Sequence, residues 1–183
     1  AIPLAFGILY HSALEAYDTA ISQGDSHEIA QALAVRTALT LNPTFLGDDY
    51  RNPFTLVRSI VWYTEQFRGD QDPITTVKLA NGKPAVELSF RFNLTTTSPD
   101  GEPYILCGHL DKLCILNDKV WVLDRKTTKT SLGPQYFANF LPDQQMSQYQ
   151  FGANIIQDRP VTGVIIDAAQ IGVSFTRFQR EII

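Results

Sequence analysis

The chain has 183 residues, a formal net charge of −4, 44% hydrophobic and 19% charged residues. That balance supports a folded core and excludes a disordered chain. No apolar run approaches the roughly 20 residues that cross a bilayer, and an acidic chain does not advertise a nucleic-acid binder. Charge is unevenly spread, however. Residues 1–75 hold nine acidic and four basic side chains, whereas residues 112–130 hold five basic ones (Lys112, Lys119, Arg125, Lys126, Lys129) against Asp118 and Asp124. A solvated hairpin carries the same surplus.

The opening residues AIPLAFGILY are apolar, lack a basic leader and run directly into His11 and Glu15, so they read as structure and not as a signal peptide. A helix is expected over residues 4–23, with Leu4, Ile8, Leu14 and Tyr17 on its apolar face and Gly24 at its end. A second is expected over 27–41, with Ile29, Leu33 and Leu39 in phase. A third is expected over 54–68, with Leu56, Val57, Ile60 and Trp62 apolar. The period then changes. Residues 85–94 alternate as a half-buried strand, with Val86, Leu88, Phe90, Phe92 and Leu94 on one face and Glu87, Ser89, Arg91 and Asn93 on the other. A turn at 98–103 leads to strands over 104–116 and 119–127, joined at Asn117-Asp118. Short and longer helices are expected over 134–140 and 143–157. A last apolar strand follows over 161–171, with 173–180 pairing or continuing it. The order predicts one α/β domain over 1–183, with a mainly helical segment at 1–70 and a central mixed sheet flanked by helices at 75–183.

Cys107 and Cys114 fit no zinc or iron–sulfur spacing. On one strand, seven residues apart, they point to opposite faces, and two buried free thiols are expected. His27 is expected at the surface.

The most informative stretch is GHLDKLCILNDKVWVLDRKTT. With Asn117-Asp118 as the turn, paired residues have numbers summing to 235, which sets Asp111 opposite Asp124 on one face of the sheet. Lys126 shares that face, with His109 opposite it as an outlying neighbour. Leu113, Ile115, Val120 and Val122 continue the same face, so the polar cluster ends an apolar one. Two facing carboxylates repel unless one takes a proton or a cation sits between them. Mg²⁺ suits such a site, since it prefers oxygen ligands and keeps waters that phosphates can replace. Lys126 can then stabilise phosphate charge or orient a water. A salt-bridged hairpin, with Asp124 paired to Lys126 and Asp111 solvated, accounts for the same residues equally well.

Five motifs stand in order: FGILYHSALEAY with His11, AVELSF with Glu87, GHLD with Asp111, DRK with Asp124 and Lys126, and QMSQY with Gln145 and Tyr149. In this, the chain resembles the PD-(D/E)XK nuclease superfamily, in its RecB-like exonuclease branch, over residues 6 to about 170. The resemblance implies a restriction-endonuclease-like core and a DNA exonuclease using one or two Mg²⁺ or Mn²⁺ ions. Asp111 and Asp124 resemble its metal-binding carboxylates, the Arg125 carbonyl a further ligand, and Lys126 its catalytic lysine. His11 resembles the histidine that joins the metal in this branch. Gln145 and Tyr149, on one helix face at i and i+4, resemble the pair that supports the lysine and contacts the DNA backbone, with Lys129 as a further DNA contact. Glu87 is either a third acid at the metal or a solvated edge residue. Members with an iron–sulfur cluster carry four flanking cysteines; this chain has two, in other places, and no cluster is expected. No Walker loop is present.

The resemblance also implies DNA as partner, a phage-type role in recombination or repair, and a cytoplasmic setting (the host's, if phage-encoded). A single-strand annealing protein or helicase, or a homo-oligomer, are compatible associations. A structure-specific endonuclease, a catalytically silent DNA-binding or scaffold domain, and a binding module whose acidic pair is a surface feature stay open as alternatives.

Overall fold

The structure, a computed structural model, describes residues 2–41, 47, 49–141, 147, 152–154 and 159–183. Local chemistry sets the helix boundaries. Helix α1 (Ile2–Gln23) ends where Gly24 takes φ +96°, a conformation that a Cβ disfavours. Ser26 caps α2 (His27–Thr40), its hydroxyl accepting the Ile29 N–H. Helix α3 (Pro53–Gln66) opens on a capping box between Asn52 and Thr55, with proline in its first turn.

Strands β1 (Thr75–Thr76), β2 (Val86–Thr97), β3 (Pro103–Leu116) and β4 (Lys119–Thr128) follow. Then come a single-turn helix α4 (Pro134–Phe137), β5 (Val161–Ile171) and β6 (Thr176–Ile182). They form one sheet ordered β1-β3-β4-β5-β6, with β2 also pairing β3. Strands β4 and β5 are parallel and every other pair is antiparallel. The expected mixed α/β architecture is present. The expected hairpin register holds too, with Leu116 opposite Lys119 and Lys112 opposite Leu123. Asn117 and Asp118 take φ +51° and +60°, the pair of left-handed residues that a tight two-residue turn requires. Strand β1 lies outside the expectations; two residues are too few to show alternation.

Helices α1 and α3 pack on one face of the sheet, where Phe6, Leu14, Leu56 and Ile60 meet Ala169 and Ile171 of β5, and α2 packs on α1 and α3. By strand alternation the opposite face carries Leu113, Val122, Val164 and Ile166, packed with Phe137 of α4. The helix faces need correction. In α1, Leu14 and Tyr17 are buried, but Leu4 and Ile8 are exposed, and Phe6, Leu9, Tyr10 and Ala13 take the core. In α2 the expected face is outside: Ile29, Leu33 and Leu39 are exposed while Ala30, Ala34 and Ala38 are fully buried. Small side chains every four residues let α2 approach its neighbours closely, and that tight contact outweighs the burial of larger groups. In α3, Leu56 and Ile60 are buried, Val57 is half-buried and Trp62 is exposed, with Thr55, Ser59, Tyr63 and Thr64 completing the inner face.

Ala34→Leu is expected to lower stability by about 1–3 kcal/mol through overpacking, whereas Leu33→Ala changes it by less than about 0.5 kcal/mol, as at other surface positions. Urea melts of the two variants check this.

Candidate metal centre

The site arises where two strands part. The β3–β4 ladder runs from Leu116/Lys119 to Lys112/Leu123 and stops. Beyond it β4 stays paired with β5 as far as Thr128, and β3 stays paired with β2. Asp111 and Asp124 are therefore the first residues past the ladder. The Asp111 carboxylate takes over a hydrogen bond that the ladder no longer makes: its Oδ2 accepts the Arg125 backbone N–H at 2.7 Å. Helix α1 lies over the gap and brings His11 Nδ1 to 3.4 Å from Asp111 Oδ1.

Strand β2 supplies the third group. The pairs Val86/Lys112 and Leu88/Leu110 bracket Glu87 opposite Asp111. Glu87 takes φ +50°, a left-handed conformation that costs a non-glycine residue about 1–2 kcal/mol. Its Oε2 is hydrogen-bonded to His109 Nε2, and His109 Nδ1 lies 3.0 Å from Ser89 Oγ. One ligand atom each from His11, Glu87 and Asp111 lies within 4.8 Å of the other two. Glu87 Oε1 is buried without a hydrogen-bond partner, an acceptor left for something else.

Lys126 and the trio line one cleft of about 420 Å³, with Leu4 and Ile8 of α1 at its side. Lys126 Nζ lies 2.7 Å from Asp124 Oδ2, whose side chain is 4% exposed. Asp111 groups with His11 and Glu87, and Asp124 pairs with Lys126 while remaining near enough to feel the charge of Asp111. The two aspartates respond differently to burial. Desolvation pushes the Asp124 carboxyl up to about 6; Lys126 opposes the shift and the charge of Asp111 adds to it. Burial acts on Asp111 too, but His11 and the N–H and charge of Arg125 hold it below its ordinary value.

A second, fully buried cluster holds the site's elements together. Asp18 of α1 is ion-paired through Oδ1 to Lys112 Nζ at 2.9 Å and through Oδ2 to Arg125 Nη2 at 2.5 Å. Lys112 follows Asp111 in β3, and Arg125 separates Asp124 from Lys126 in β4. Asp18 is seven residues, two helical turns, from His11. Burial alone would raise the Asp18 carboxyl, but the two cations hold it at about 2.

Other expected positions divide. Gln145 and Tyr149 lie outside the described residues, as does much of the expected 143–157 helix, although residues 147 and 152–154 are helical. Lys129 lies beyond the cleft, 4.4 Å from the Tyr50 ring centroid. Arg125 contacts Asp111 through its backbone N–H. His109 does neighbour the site, as Glu87's hydrogen-bond partner. His27 is not a bare surface group: it bridges Tyr17 Oη and Glu65 Oε1, both at 3.0 Å. Both cysteines are free, but only Cys114 is buried; Cys107 is exposed, opposite the exposed Arg91 of β2.

Sequence reasoning missed Asp18 and the part played by Glu15. Helical spacing carried the signal for both, since 11, 15 and 18 share one face of α1. Burial and the nearby Glu87 charge hold the Glu15 carboxyl above its usual range.

Asp18→Asn leaves two buried cations without a counter-charge and is expected to cost about 3–5 kcal/mol, read as a lowered urea midpoint. Asp124 gives a pH signature in the presence of chelator. Native protein holds a proton between 3.8 and about 6 that the unfolded chain has released, so stability falls as pH rises through that window. Asp124→Asn is expected to melt above wild type at pH 7 and to lose that advantage below pH 4. Thermal melts across pH check the crossover.

No protein-family model matches this chain, and no curated protein matches it.

Proposed function

We propose that this chain is a metal-dependent DNA nuclease on a restriction-endonuclease-like core, of the PD-(D/E)XK kind. The observation that carries the reading is convergence: His11, Glu87 and Asp111, from three separate elements, bring ligand atoms within 4.8 Å in the cleft that also holds Lys126. The two carboxylates suit Mg²⁺ or Mn²⁺, and the imidazole, a softer donor, favours Mn²⁺ of the two. The unpartnered Glu87 Oε1 and the left-handed Glu87 backbone fit a group held in place to receive a cation.

A divalent ion bound there supplies Lewis acidity and a water of lowered pKa. The chain's own residues do the rest. His11, Glu87 and Asp111 hold the ion. Asp111, kept anionic by its hydrogen bonds, carries charge at neutral pH. His109 orients Glu87. Lys126 faces the scissile phosphate and stabilises charge building on its non-bridging oxygens, and Asp124 orients the lysine through the 2.7 Å contact. Gln145, Tyr149 and Lys129 would contact the DNA backbone, and the Arg125 carbonyl and Asp124 would be the further groups available to the ion. The mode is exonucleolytic, in recombination or repair. A structure-specific endonuclease of the same fold would cut covalently closed circles as readily as linear DNA.

The test is hydrolysis of linear DNA with Mg²⁺, Mn²⁺ or EDTA. Cleavage is expected with either metal, not with EDTA, and is expected to fall about 10²–10³-fold in Lys126→Ala, with Mn²⁺ binding by calorimetry retained. Undiminished cleavage by Lys126→Ala would sink the mechanism.

A further inference from the structure

Three cations stack on exposed aromatic rings at the end of the sheet next to the cleft. Lys129 Nζ is 4.4 Å from the Tyr50 centroid, Arg58 Cζ 5.6 Å from Trp62 and Arg177 Cζ 5.1 Å from Phe175. The rings remain open to solvent, at 37% for Tyr50, 44% for Trp62 and 37% for Phe175. Trp62 and Phe175 belong to one patch, because Arg58 also donates to the carbonyl oxygens of Gly172, Val173 and Phe175. Those partners are neutral, so Arg58 keeps its charge. Among the described residues no carboxylate pairs with Arg58 or Arg177. The charge of Arg58 and Arg177, on a chain of net charge −4, marks a surface suited to an anion.

Register ties this patch to the cleft. Lys126, Ala168 and Gln179 form one row across β4, β5 and β6; Thr128, Gln170 and Arg177 form the row two residues further. Two residues of strand are about 7 Å, near the reach of one nucleotide. Beside Arg177 lies a cavity of about 330 Å³ whose wall includes the amides of Gln66, Gln170 and Gln179. Amides present both donors and acceptors, which the edges of unpaired bases can use. The exposed part of such a ring offers stacking to bases that are not already stacked and paired, although the Phe175 ring also packs on Gly172.

We infer that the surface of α3 and the β5–β6 turn is a track for an unpaired nucleic-acid strand that leads into the cleft, with bases stacked on Trp62 and Phe175 and phosphates met by Arg58, Arg177 and Lys129. It deepens the nuclease reading and rests on it for the polymer, but binding is measured without cleavage. A fluorescent dT 12-mer is titrated in EDTA at low salt, followed by anisotropy, against a duplex of the same length. Wild type is expected to bind the single strand at least tenfold more tightly than the duplex. The double variant Trp62→Ala/Phe175→Ala is expected to weaken single-strand binding at least tenfold with its melting curve unchanged, and Arg177→Gln to flatten the salt dependence. Equal single-strand affinity in wild type and the double variant overturns the track, as does equal affinity for the duplex. Sedimentation showing a wild-type dimer that the double variant dissociates, with no oligonucleotide bound, assigns the patch to a second copy instead. Tight binding with no cleavage on adding Mg²⁺ counts against the nuclease alone. Cleavage with unchanged binding in the double variant counts against the track alone.

Discussion

The structure depends on one buried carboxylate. Asp18 meets Lys112 and Arg125 away from solvent, and each of its partners is the sequence neighbour of a group in the cleft. Apolar contact between α1 and the sheet is non-directional and would tolerate a shift along the helix axis. The two ion pairs do not, because a buried charge that loses its partner is costly. His11, two turns along the same helix, therefore arrives beside Asp111. A related network continues behind it, where Tyr63 donates to Asp167 and Arg180 pairs with Asp72 and Asp167, joining α3 to β5 and β6. Ionic cross-links between elements register the helical layer on the sheet.

On the cleft side the same physics is left partly unsolved. Three acids, Glu87, Asp111 and Asp124, crowd where β3 and β4 separate. His11, the Arg125 N–H and Lys126 relieve part of the repulsion. What remains is a raised Asp124, a Glu87 oxygen without a partner and a backbone held left-handed at Glu87. A chain selected for stability alone has no reason to keep these features together. On the proposed reading, a bound cation would supply the missing charge and the missing contact.

Legibility varied with the range of the interaction. The two-residue turn at Asn117-Asp118 could be read directly, since few residues accept that conformation, and its register carried Asp111 and Asp124 to the strand separation. Alternation in β2 was equally plain from Leu88 to Asn93, although Leu94, expected on the apolar face, is exposed. The faces of α1 and α2 were misread because periodicity shows which residues could be buried, not which are. Ala30, Ala34 and Ala38 won the core by closeness of approach, and no pattern of large apolar residues records that. Cys107 looked buried by its type, yet it lies opposite the exposed Arg91, on the solvent side of the β2–β3 pair.

The sequence by itself determined the order of elements, the hairpin register and the presence of His11, Glu87, Asp111, Asp124 and Lys126 on the elements that carry them. These follow from nearest-neighbour chemistry: caps, turns, and periods of two and 3.6 residues. Only the tertiary structure decided that Asp111 groups with His11 and Glu87 while Asp124 turns to Lys126. That choice depends on where β3 leaves β4 and on α1 being anchored by Asp18. Both are contacts between residues far apart in the chain, and their energies appear only once the elements are packed.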